Sequence, residues 1–110
     1  MIEKIVLEYL KVALTVPVYP EKPDKAPDRY VLIEKTGGSS ENFVYSDTIA
    51  IQSYAESLYE ASKLNEEVKK AMSKIVSLDS VGKAKLNTDY NFTDTAKKKY
   101  RYQAVYDLTY

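Results

Sequence analysis

Apolar residues open the chain at the spacing of a helix face: Ile2, Ile5, Val6, Tyr9, Leu10 and Ala13 recur at three- and four-residue steps, with Glu3, Lys4, Glu8 and Lys11 opposite them. The spacing predicts an amphipathic helix to about Leu14. Pro17 and Pro20 then fix φ and remove backbone donors, so Val16 to Pro27 is expected to be extended or loop-like and unsuited to a central strand. Tyr30, Val31, Leu32 and Ile33 make Arg29 to Thr36 a strand, with Gly37-Gly38-Ser39-Ser40 after it as a turn. Phe43 to Tyr54 is a second β-rich run, placing Ile49, Ile51 and Ser53 on one side and Thr48, Ala50, Gln52 and Tyr54 on the other. The two runs pair naturally as an antiparallel hairpin.

From about Glu56 the period becomes helical: Leu58, Ala61, Leu64, Val68, Ala71, Met72 and Ile75 share a face, and Ser53 with Glu56 has the spacing of a capping box. Beyond Ile75 the pattern weakens, leaving one short candidate strand near Val81 to Leu86. The last stretch is clear, because Tyr100, Tyr102, Ala104, Tyr106, Leu108 and Tyr110 alternate with Arg101, Gln103, Val105, Asp107 and Thr109. The expected architecture is one α+β domain over residues 1–110: a mainly antiparallel sheet with two helices packed on one face, in the order α-β-β-α-β-β.

Composition narrows the chemistry. Sixteen basic and sixteen acidic side chains cancel, so no global field draws the chain to nucleic acid or an anionic membrane. The N-terminal Met1-Ile2-Glu3-Lys4 mixes charge into the apolar residues, unlike a signal peptide or a membrane helix, and no membrane partner is expected. There is no cysteine and no histidine, which removes disulfides, thiolate sites and the serine–histidine and cysteine–histidine nucleophile systems. The carboxylates at Asp24, Asp28, Glu56, Glu60, Glu66 and Glu67 fall in the proline-rich connection or on a polar helix face, where solvated surface is the simpler reading. No enzyme activity, cofactor or metal is expected.

Short motif echoes do not change this. Lys35-Thr36-Gly37, Ser46-Asp47-Thr48 and Ser80-Val81-Gly82-Lys83 echo penicillin-interacting serine enzymes, but the nucleophile string comes last, in a weakly structured segment of a small chain. Gly37-Gly38 lacks the spacing of a phosphate loop. Lys97-Lys98-Lys99-Tyr100-Arg101-Tyr102 is the best candidate for nucleic-acid contact, against the plainer reading of a solvated turn leading into a tyrosine-faced strand. Eleven tyrosines without tryptophan suit either a small core widened by aromatics or surfaces that become covered on assembly.

The order of these elements resembles the tail terminator, or tail completion, proteins of long-tailed bacteriophages. The likeness runs through Arg29-Tyr30-Val31-Leu32-Ile33-Glu34-Lys35-Thr36-Gly37-Gly38, Asp47-Thr48-Ile49-Ala50-Ile51-Gln52-Ser53-Tyr54-Ala55, the helix pattern from Glu60-Ala61 to Ala71-Met72, and Tyr100 to Tyr110. The resemblance implies a structural virion protein that forms a hexameric ring with itself, caps the tail tube protein, ends its polymerisation and meets the head–tail connector protein. It implies a place in the virion tail, reached from the host cytoplasm during assembly. The alternatives are another head–tail joining component and a small nucleic-acid-binding module. Candidate subunit or tube contacts are Gly37, Gly38, Glu41, Phe43 and Tyr45 in the 36–46 loop, and Phe92, Lys97, Lys98, Tyr100 and Arg101 around the 91–99 segment, whose basic residues are also candidates for passive contact with DNA in a lumen.

Overall fold

The computed structural model describes residues 2–41 and 44–110, and the side chains of all of these except residues 39–41, 44 and 45. Helix α1 (Ile2–Ala13) is followed by β1 (Val18–Tyr19), β2 (Tyr30–Glu41), β3 (Val44–Ala55), α2 (Leu58–Met72), a 3₁₀ turn at Ile75–Ser77, β4 (Lys83–Asn91) and β5 (Tyr100–Thr109). The strands form one sheet in the order β1-β2-β3-β5-β4. Three of its pairings are antiparallel, while β1 runs parallel to β2 through Val18↔Val31 and Tyr19↔Leu32. The fold is thus α+β with two helices, but the sheet is mixed and the expected order lacked β1. Two residues between Pro17 and Pro20 form that strand, and the Pro17 carbonyl accepts the Val31 N–H at 2.9 Å. Prolines at both ends keep it short and at an edge.

Register explains the two faces. Val31 and Ile33 share a face with Ile49, Ile51, Ala104, Tyr106 and Leu108, and these pack against Ile2, Val6 and Leu10 of α1 and Leu64, Val68 and Met72 of α2. Helix α2 lies across β3 and β5, and α1 against β1 and β2. Burying Ile49, Ile51 and Leu108 completely stabilises the fold by roughly 1.5–3 kcal/mol each before entropy is counted. The alternating tyrosines of β5 therefore face the helices, and Tyr106 is core.

Three local expectations change. Gly37 and Gly38 do not turn: no glycine has positive φ among the described residues, and β2 continues through them to Glu41, with a bulge between Lys35 and Gly37. The cap of α2 is Ser57, whose hydroxyl accepts the Glu60 N–H at 3.2 Å, whereas Ser53 lies buried within β3. The strand expected near Val81 to Leu86 is displaced and longer, Lys83–Asn91, and is open to solvent along most of its length.

Candidate functional site

The register sends the two groups of candidate residues to opposite ends of the sheet. Ser46 pairs with Thr109 at one end of β3 and Ala55 with Tyr100 at the other, so the β2–β3 turn and the 92–99 turn lie apart. From Asp47 to Ala55 the separation is about 27 Å at roughly 3.4 Å per residue. They are two displays on one frame, not one site.

At the first end, Asp47 is buried at 4% exposure, accepts the Tyr110 hydroxyl at 2.7 Å and lies 3.5 Å from the Lys35 ammonium. Lys35 also reaches Glu3 of α1 at 4.0 Å. Gly38 stands opposite Asp47, and a Cβ on it would come within 2.6 Å of the carboxylate. The glycine leaves room for the anion, while Gly37 faces open space near Thr48. Beyond Ser46, where pairing with β5 ends, β2 and β3 pair only with each other through Ser40↔Tyr45 and Glu41↔Val44. This two-stranded tip carries Glu41 and Tyr45, whereas Phe43 lies outside the described residues.

At the other end, Arg101 organises the helix-free face. Its Nε donates to the Phe92 carbonyl at 2.6 Å and its Nη1 to the Tyr54 hydroxyl at 2.8 Å, while the guanidinium sits 4.2 Å from the Phe92 ring centre. Tyr54 stacks on Tyr30 with centroids 4.5 Å apart and donates to Gln52 Oε1 at 3.2 Å. Gln52 Nε2 continues to Gln103 Oε1 at 2.8 Å, and Gln103 donates to the Tyr90 hydroxyl. Tyr90 in turn meets Phe92 edge-on at 5.7 Å. Gln52, Tyr54, Tyr90 and Gln103 escape a reading of the sequence because only the register makes them neighbours.

The 92–99 turn is closed by paired backbone bonds between Asp94 and Lys99, both 3.1 Å, with the Lys97 N–H on Asp94 Oδ1 at 3.2 Å. Lys98 takes φ 51°, a left-handed conformation uncommon for a side chain with a Cβ. Lys97, Lys98 and Lys99 are exposed, and Tyr100 is half-buried. Lys22 comes from the proline-rich connection to the same cleft, about 300 Å³, and its neighbouring ammonium holds Lys99 below the ordinary lysine range. Beside the cleft Arg29 Nε contacts both Glu56 oxygens, at 2.9 and 3.0 Å, and this hydrogen bond holds the Glu56 carboxyl below its usual range.

A third surface, not anticipated from periodicity, is an apolar groove of about 610 Å³ along α1, lined by Ile5, Tyr9, Val12, Ala13 and Leu78, with Val12 at 89% exposure. Among the described residues no group of carboxylates is placed to hold a metal ion, and no helix is long and apolar enough to cross a membrane. The polar groups at both ends bind one another, an arrangement suited to presenting shaped surfaces. No family model matches the chain, and no curated protein matches it in sequence.

Proposed function

We propose that this chain is a structural subunit of the tail-terminator type, which assembles as a hexameric ring, caps a phage tail tube, ends its polymerisation and joins it to the head connector. The observation that carries the reading is the placement of two distinct displays at opposite ends of one five-stranded sheet. A joining piece needs two such ends, one for each partner, and a rigid body between them. The ordered resemblance of the sequence to tail terminator proteins supplies the partners: tail tube on one side, connector on the other. The protein acts in the virion tail, is assembled in the host cytoplasm and performs no catalysis in this reading.

Another head–tail joining component would share the same two-ended design. Binding to isolated tail tubes favours the terminator, and binding to portal assemblies alone favours the other joining role. A nucleic-acid module is the weaker reading, because Arg101 is already occupied by Phe92 and Tyr54 and so is not free to hold phosphate. The lysines at 97–99 remain for passive contact with DNA in a lumen. The test is solution mass by light scattering over a range of concentrations, then negative-stain imaging with tail tubes. Closed rings near six subunits that seat on tube ends are expected; a monomer that ignores tubes overturns the proposal.

A further inference from the structure

Both margins of the sheet are open. On one, β1 covers only Val31 and Leu32 of β2, because Pro20 has no N–H and cannot continue a ladder. From Ile33 onward the outer edge of β2 has no partner strand among the described residues, and it borders a cleft of about 330 Å³ shared with Glu3, Lys4 and Leu7 of α1. On the other margin β4 is the last strand and largely exposed. The Gly82 N–H bonds Thr109 O at 2.8 Å and the Phe92 N–H bonds Arg101 O at 2.9 Å, both toward β5. The Arg101 and Thr109 carbonyls face β4, so by the alternation of an antiparallel ladder, shifted by the bulge between Leu86 and Thr88, the N–H groups of Ala84, Leu86, Asp89 and Asn91 point away from β5, into solvent. Neither open stretch contains a proline.

We infer that β4 of one copy adds as a further strand to the outer edge of β2 in a second copy, making the sheet continuous between neighbours. Charge selects this pairing. Glu34 on the β2 edge and Lys83 and Lys85 on β4 lie on the same, helix-free face; all three are exposed, and none forms an ion pair with another described residue. Lysines at both positions oppose β4–β4 pairing and favour an acidic edge. The two edges lie on opposite sides of one sheet, so the contact is heterologous and repeats from copy to copy until it closes. The inference rests on the self-assembly proposed above and names the surfaces that perform it.

The absence of cysteine allows a direct test. Within one chain positions 34 and 85 are separated by β3 and β5, three inter-strand steps or about 14 Å, beyond the roughly 7 Å reach of a disulfide. Glu34→Cys/Lys85→Cys and Glu34→Cys/Lys83→Cys proteins are oxidised at concentrations where the wild-type chain assembles, with Glu34→Cys/Val12→Cys as control. At least one edge pair is expected to give a ladder of covalent oligomers, and the control is not. Separately, Lys83→Glu/Lys85→Glu is expected to weaken assembly about tenfold, with Glu34→Lys in the same chain restoring it. If the wild-type chain assembles but neither edge pair crosslinks and charge reversal changes nothing, strand addition is overturned and the ring stands. If the wild-type chain assembles neither alone nor on tail tubes, both fall.

Discussion

Gly38 and Asp47 show how little space the first end of the sheet has to spare. The carboxylate is buried between Lys35 and Tyr110, and it occupies the place a side chain at position 38 would need. Gly38→Ala is expected to lower stability by about 1–3 kcal/mol, because a held anion must move. Gly37→Ala, one residue away with open space, is expected to be neutral or stabilising by about 0.5 kcal/mol through a less flexible unfolded chain. Urea midpoints of the two variants decide; equal losses would return both glycines to a purely conformational role. Tyrosine supplies a second residue-scale prediction. Burial raises the phenols of Tyr30 and Tyr106 above their ordinary value near 10. A raised folded value means stability that is fully present below the unfolded value and lost as pH rises through the folded one. Thermal midpoints are therefore expected to fall above about pH 10. Tyr30→Phe is expected to flatten that alkaline fall while leaving neutral stability nearly unchanged, and an unchanged alkaline slope would count against the burial account.

Among the elements, legibility followed the strength of periodic burial. Helix α1 could be read from the sequence because one face is buried and the other wet, β5 because buried Ala104, Tyr106 and Leu108 alternate with more exposed neighbours, and β3 because its β-branched and aromatic residues form a run buried throughout from Ile49 to Ala55. Strand β1 could not: two residues have no period, and the prolines beside them argue for a loop. Strand β4 was half visible, since an edge strand exposed on both faces buries too little to leave an alternating signature. The cap of α2 was misplaced by four residues because Ser53-x-x-Glu56 and Ser57-x-x-Glu60 share the capping spacing, and only pairing into β3 decides between them. These serines make opposite predictions. Ser57→Ala removes a cap and is expected to cost about 1 kcal/mol. The buried Ser53 hydroxyl has no hydrogen-bond partner among the described residues, so Ser53→Ala is expected to be neutral or stabilising. Chemical denaturation of the pair checks both, and a large loss from Ser53→Ala would reveal a partner for that hydroxyl.

At the scale of the molecule, the two candidate clusters were each legible as segments, yet their separation was not, because it depends on a register that no local string encodes. The frame measures 44 × 26 × 24 Å, long enough to hold two partners apart. If the chain joins a tube to a connector, each end must serve one partner, and damage at one end must leave the other competent. Charge reversal at the exposed Lys97 and Lys98 disturbs no side-chain bond among the described residues, since Lys97 is held through its backbone N–H. Lys97→Glu/Lys98→Glu should therefore fold and assemble like the wild-type chain, and Glu41→Lys is its counterpart at the far tip. One variant is expected to lose binding to tail tubes and the other to connector assemblies, measured by cosedimentation with each particle. If either variant, still folded and still ring-forming, lost both partners together, the ends would not be independent. A single composite surface would then have to replace the two-ended joint.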